Sequence, residues 1–174
     1  MHRIALLTTG GTIEKRYVEQ DGSMENTEPQ IRRCLQALRL PDCEIVVQEL
    51  MNKDSLHMTD QDRHSIAEHV LREVAAGRPV LVTHGTDTVV QTGLAVAAAL
   101  QAQPQESQVP VVFTGAMTPF GIEGSDALQN LTEALLAARL LPPGVFLSFH
   151  GEIFPIASVK KDREQSRFRH TEAP

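Results

Sequence analysis

The chain has 174 residues, 41% of them hydrophobic, and carries 16 Lys plus Arg against 22 Asp plus Glu for a net charge of −6. That length suffices for one sizeable core but not for two full domains. The negative balance repels phosphate backbones, which argues against nucleic acid and anionic membrane as partners and leaves a small molecule as the expected one.

The run from Met1 to Leu7 is short and lacks a small-residue cleavage site, and no apolar stretch is long enough to span a membrane, so a cytoplasmic protein is expected. Cys34 and Cys43 are the two cysteines and stand outside any metal-ligand spacing. Both read as packing residues, with neither a disulfide scaffold nor a zinc site indicated, and no metal or cofactor is expected.

In chain order, apolar runs of strand length fall at about residues 3–9, 44–50, 79–83, 109–114 and 144–149. Between them Ile66, Val70 and Val74 recur every four residues, and Leu128, Leu131, Leu135 and Ala138 follow a three-four-three spacing. Each pattern places an apolar stripe on a helix, and a further helix is expected to begin near Thr88. Leu141-Pro142-Pro143-Gly144 closes the last helix, because proline cannot continue its ladder. The runs Pro79-Val80-Leu81-Val82 and Val109-Pro110-Val111-Val112-Phe113 are apolar on both faces, as in a parallel sheet covered by crossover helices on either side. The predicted fold class is therefore α/β, a single three-layer, doubly wound domain on a mainly parallel sheet. Residues 17–28 and the charged stretch from Lys160 to Pro174 read as irregular. The first is polar, contains Gly22 and follows a glycine-rich strand end, so a mobile lid and a solvated loop both stand open.

Ligands of parallel α/β sheets bind beyond the carboxyl ends of the strands, near the point where strand order reverses. The turn Thr8-Thr9-Gly10-Gly11-Thr12-Ile13 lets a ligand approach the main chain at its glycines and presents the Thr12 hydroxyl. A tight turn or a phosphate cradle is the alternative, although the loop lacks the usual nucleotide-binding patterns. Thr83-His84-Gly85-Thr86-Asp87-Thr88 offers several hydroxyls and a carboxylate, of which helix capping by Thr86 or Asp87 explains one. His84, at a buried strand end, reads as a hydrogen-bonded structural residue. Thr114-Gly115-Ala116-Met117-Thr118-Pro119 leaves main-chain donors accessible to an oxyanion. Val159-Lys160-Lys161-Asp162 either sends a lysine into the same crevice or is a solvated surface. A threonine hydroxyl is a weak nucleophile until a base, or a cation that poises the base, takes its proton, so threonine, lysine and aspartate together make chemical sense.

The motifs Thr8-Thr9-Gly10-Gly11-Thr12-Ile13 and His84-Gly85-Thr86-Asp87-Thr88, in this order, resemble the signature pair of the bacterial-type L-asparaginase family. Asp54-Ser55-Leu56-His57-Met58-Thr59 and Thr114-Gly115-Ala116-Met117 also resemble family segments, and the likeness runs to about Lys161. The resemblance implies an amidohydrolase that converts L-asparagine to L-aspartate and ammonia, with Thr12 as nucleophile, an acyl-enzyme intermediate, and assistance from Tyr17, the only tyrosine. It implies a second centre of Thr86, Asp87 and a lysine, best matched by Lys161 with Lys160 as alternate. Substrate contacts are implied for Gly11, for Ser55 on the α-carboxylate, for Asp87 on the α-amino group, and for the Thr86 and Ala116 amides on the oxyanion. Leu56 stands where some members carry a polar residue, which favours asparagine over the larger glutamine.

Members of the family normally carry a second, C-terminal α/β domain. By the resemblance this chain divides into an N-terminal-type domain at 1–161 and a charged tail at 162–174. A homo-oligomer, dimer or tetramer, is expected, since such a domain without its usual second half exposes apolar helix surface. Two other readings stand beside the hydrolase. One is a non-catalytic amino-acid-binding or regulatory module, which would bind asparagine without releasing ammonia. The other is an asparaginase-like subunit supplying ammonia to a transfer-RNA amidotransferase, against which the negative charge and the absence of an appended domain count.

Overall fold

Side-chain alternation along the central strands decides the layering of this protein, for which a computed structural model describes residues 1–104 and 107–171. Strands β1 (His2–Gly10), β4 (Cys43–Lys53), β5 (Val80–Thr83), β6 (Pro110–Thr114) and β7 (Gly144–Phe149) form a parallel sheet, closed at one edge by the antiparallel β8 (Glu152–Pro155). Successive residues of a strand point to opposite faces. Val80 and Val82 accordingly join a core with Ile66 and Val70 of helix α2 (Asp60–Ala75) and Val96 of α3 (Val89–Gln101). Leu81 joins the opposite core with Ile31 of α1 (Ile31–Gln36) and with Leu131 and Leu135 of α4 (Ala127–Leu140). The result is three layers, helices on both faces of one sheet, as the two-faced apolar runs predict. Pro110 is tolerated because it is the first residue of its strand.

The sheet order is β4-β1-β5-β6-β7-β8. Strand β1 pairs in parallel with β4 on one side and β5 on the other. Strand order therefore reverses at β1, and the crevice of a doubly wound sheet opens between the carboxyl ends of β1 and β5. The two best-marked motifs of the sequence, at Gly10–Thr12 and His84–Asp87, lie at those ends.

Two stretches expected to be irregular are hairpins. Within residues 17–28 and just before them, β2 (Arg16–Val18) pairs with β3 (Ser23–Glu25). The turn between them holds Gly22 at φ 73, and the Asp21 carboxylate accepts from Ser23 N at 2.9 Å. Aspartate-glycine is a hairpin signal, but three-residue strands are too short to show a period. At the other end β9 (Val159–Asp162) pairs with β10 (Arg167–His170), so the chain passes residue 161 in mid-strand. Charged residues hide this second hairpin because its outer face consists of Lys160, Asp162, Arg167 and Arg169, while Val159 and Phe168 are buried on the other. Residues 172–174 of the predicted tail lie outside the described ones.

Cys34 is buried and Cys43 half-buried, both as free thiols; burial pushes the Cys34 thiol up to about 12, which suits a packing residue. No helix among the described residues is long and apolar enough to cross a membrane.

Candidate active site

Glycines let four turns meet beyond the carboxyl ends of β1, β4, β5 and β6. Gly11 has φ 80, and a methyl group there would collide with the main chain of Gly85. A methyl group on Gly85 would press on Ser55, and one on Gly115 would strike the His84 carbonyl. The Thr12, Ser55, Thr86 and Ala116 turns are thus held in close mutual contact, an approach that only glycine permits.

Lys161 enters this cluster from β9. In the antiparallel register it stands opposite Phe168, while Lys160 stands opposite Arg169. Paired residues share a face, and Phe168 is buried edge-on against Phe149 with ring centroids 4.9 Å apart. Lys161 therefore points inward and Lys160 outward to solvent. The Lys161 ammonium donates to Thr86 Oγ1 at 2.7 Å and to Asp87 Oδ1 at 3.0 Å. Thr86 is buried and Asp87 half-buried. The capping alternative does not describe this turn: the N-cap of α3 is Thr88, which makes no side-chain cap, and its hydroxyl instead donates to Ser55 O at 2.9 Å.

Several residues that motif reading passed over hold the cluster in place. Lys15, just past the Thr12 turn, pairs with Asp54 at 2.8 Å, and Asp54 Oδ1 accepts from Leu56 N at 3.0 Å. The Lys15 hydrogen bond, aided by Leu56 N, holds the Asp54 carboxyl below its usual range. Asn26 donates to Gly11 O at 2.9 Å and to Asn52 Oδ1 at 3.0 Å, which ties the β2–β3 hairpin to the first turn. Asp126 accepts from Met117 N and Thr118 N, each at 2.9 Å, and Asn130 Nδ2 donates to Gly115 O at 3.0 Å. These bonds fix the Ala116 turn. Single Asp and Asn residues at helix starts carry no periodic signal, so only the fold reveals them.

Not every candidate is drawn together. Tyr17 lies on β2, is 55% exposed, and has no hydrogen bond to Thr12 among the described residues. Leu56 is 61% exposed, beside the buried Ser55. His84 is buried with both ring nitrogens engaged, Nδ1 with Gly85 O at 2.9 Å and Nε2 with the Thr92 hydroxyl at 2.8 Å. That arrangement anchors the Gly85-Thr86 turn to α3.

Burial pushes the His84 imidazole down to about 4 from the ordinary 6.5. The unfolded chain thus takes up a proton below pH about 6.5 that the folded one resists until about 4. His84 stabilises the fold fully above pH 6.5, and this contribution is lost as pH falls toward 4, by about 2 kcal/mol at pH 5. Urea denaturation at pH 7 and pH 5 is expected to show this extra acid sensitivity in the natural chain and not in His84→Gln; identical pH dependence of the two would contradict it.

The α/β sheet thus carries a hydroxyl-lysine-carboxylate group and a threonine-bearing glycine turn at its strand-order reversal, where ligands of such sheets bind. The family model for the N-terminal domain of asparaginase matches residues 3–171, and the chain belongs to that family. It is 30% identical over 159 residues to an L-asparaginase of Thermococcus kodakarensis, covering 91% of this chain and 47% of that protein. It is also 30% identical over 156 residues to a glutamyl-tRNA(Gln) amidotransferase subunit of Methanococcus vannielii, covering 88% of this chain and 35% of that one. The solved structure of the thermostable L-asparaginase from Thermococcus kodakarensis superposes with a TM-score of 0.82 at 28% identity, over 99% of this chain and 52% of that one. The chain spans about half the length, or less, of these relatives.

Proposed function

We propose that this domain is an amidohydrolase that converts L-asparagine to L-aspartate and ammonia. The observation that carries the reading is the Lys161 ammonium on both Thr86 Oγ1 and Asp87 Oδ1, at the point of the sheet where ligands bind, in a chain of the asparaginase family.

On this reading the Thr12 hydroxyl oxygen attacks the side-chain amide carbon, and the Thr86 and Ala116 N–H groups stabilise the oxyanion. The Thr12 proton passes to the leaving nitrogen, the carbon–nitrogen bond breaks, and ammonia departs. Water then cleaves the threonyl ester to release aspartate and restore the hydroxyl. Thr86, Lys161 and Asp87 form the proton-handling centre beside it. Ser55 takes the α-carboxylate, Gly11 lines the substrate, and Asp87 takes the α-amino group. Tyr17 serves Thr12 only if the β2–β3 hairpin folds over the site, as lids do. The exposed Leu136, Leu140 and Ile153 are read as the contact surface of a homo-oligomer, dimer or tetramer.

The likeness to the amidotransferase subunit supports a second reading, in which the same centre releases ammonia from a glutamine-sized amide. A coupled ammonia assay separates the two. L-Asparagine is expected to outperform L-glutamine about ten-fold in kcat/KM, because Leu56 offers no hydrogen bond to a longer side chain. A preference for glutamine would favour the second reading.

A further inference from the structure

The Asp87 carboxylate is already occupied. Besides Lys161, the Arg163 guanidinium reaches the same oxygen, Nη1 to Oδ1 at 3.0 Å. Arg163 opens the turn between β9 and β10. That turn is pinned by Gln165 N donating to Asp162 Oδ1 at 3.1 Å and by the pairing of Phe168 with Lys161. Asp162 itself is neutralised by Arg169 at 3.3 Å, and Asp54 by Lys15. Among the described residues, then, two cations pair with the single Asp87 carboxylate, in a chain whose net charge is −6.

A zwitterionic amino acid has to place its ammonium in that field, either by displacing Arg163 or by becoming a third cation on one carboxylate. A substrate with the same amide and carboxylate but no α-ammonium meets no such opposition, and its anionic end is attracted. We infer that Arg163 is a specificity-determining residue that stands in for the substrate amine on Asp87. The site therefore accepts ω-amides of short dicarboxylic acids lacking an α-amino group at least as well as asparagine. This inference rests on the hydrolase reading for the role it gives Asp87, and deepens it by naming the substrate class.

The test pairs binding with turnover at low ionic strength, where exposed charges are least screened. Calorimetric affinities for succinate and L-aspartate are measured on the natural chain, Arg163→Ala and Arg163→Lys, and ammonia release is measured with succinamate and L-asparagine. In the natural chain succinate is expected to bind at least as tightly as L-aspartate. Arg163→Ala should shift the ratio toward L-aspartate about three- to five-fold, the upper range for an exposed ion pair, and Arg163→Lys should keep it close to the original. The same shift is expected in the succinamate-to-asparagine ratio of kcat/KM. A binding ratio unchanged in Arg163→Ala, or binding of neither ligand, overturns the inference. Absence of ammonia from both amides instead rejects the hydrolase reading, while the binding ratio still decides the role of Arg163.

Discussion

Replacing Lys161 with methionine is expected to lower kcat for asparagine by about 100- to 10,000-fold, the range that a positioned proton-transfer group contributes. The lysine is the sole link from the β9–β10 hairpin to Thr86 among the described residues. Methionine keeps the aliphatic stem and its packing but neither donates to Thr86 nor neutralises Asp87. The fold should survive, because Asp87 retains Arg163 as a partner and methionine leaves no unpaired charge in place of the ammonium. Lys161→Arg should fail to rescue the rate, since a broad planar guanidinium cannot occupy the point at which one ammonium meets both Thr86 Oγ1 and Asp87 Oδ1. Measured kcat beside urea midpoints checks this: a loss of rate that tracked a loss of stability would mean that Lys161 only holds the hairpin.

The distinction between Lys161 and Lys160 shows how far the sequence carries. The Val-x-Lys spacing selects Lys161 by family likeness, and the physical reason is strand alternation: Val159, Lys161 and the paired Phe168 share the inner face. That alternation was legible in principle, but five charged residues in a row at Lys160–Glu164 mask it. The central strands were legible because each is apolar on both faces and bounded by glycine or proline. The β2–β3 hairpin was not, since strands of three residues show no period and only the Asp21-Gly22 turn marks it.

Within the site, the glycine turns announced themselves by composition; the close approach of Gly85 explains why position 11 must be glycine, and that of Ser55 why position 85 must be. The supporting residues Lys15, Asn26 and Asp126 act across the fold, over separations in sequence that no local pattern encodes. Arg163 belongs with them. Its pairing with Asp87 depends on a turn that reads, residue by residue, as a solvated charge run.

The paired threonines carry the central claim. Thr12 lies on the Gly11 turn and Thr86 beside Asp87, and Gly11 and Gly85 bring the two turns into contact. Alanine at either position removes one hydroxyl and leaves the main-chain donors and the glycine contacts in place, so the variants should fold while losing chemistry. The decisive measurement is ammonia release from L-asparagine by the natural chain, Thr12→Ala and Thr86→Ala in parallel. The expected result is turnover by the natural chain and a fall of about 1,000-fold or more in each variant. Unchanged turnover in both variants, or no ammonia from the natural chain, would contradict a threonine-based amidohydrolase.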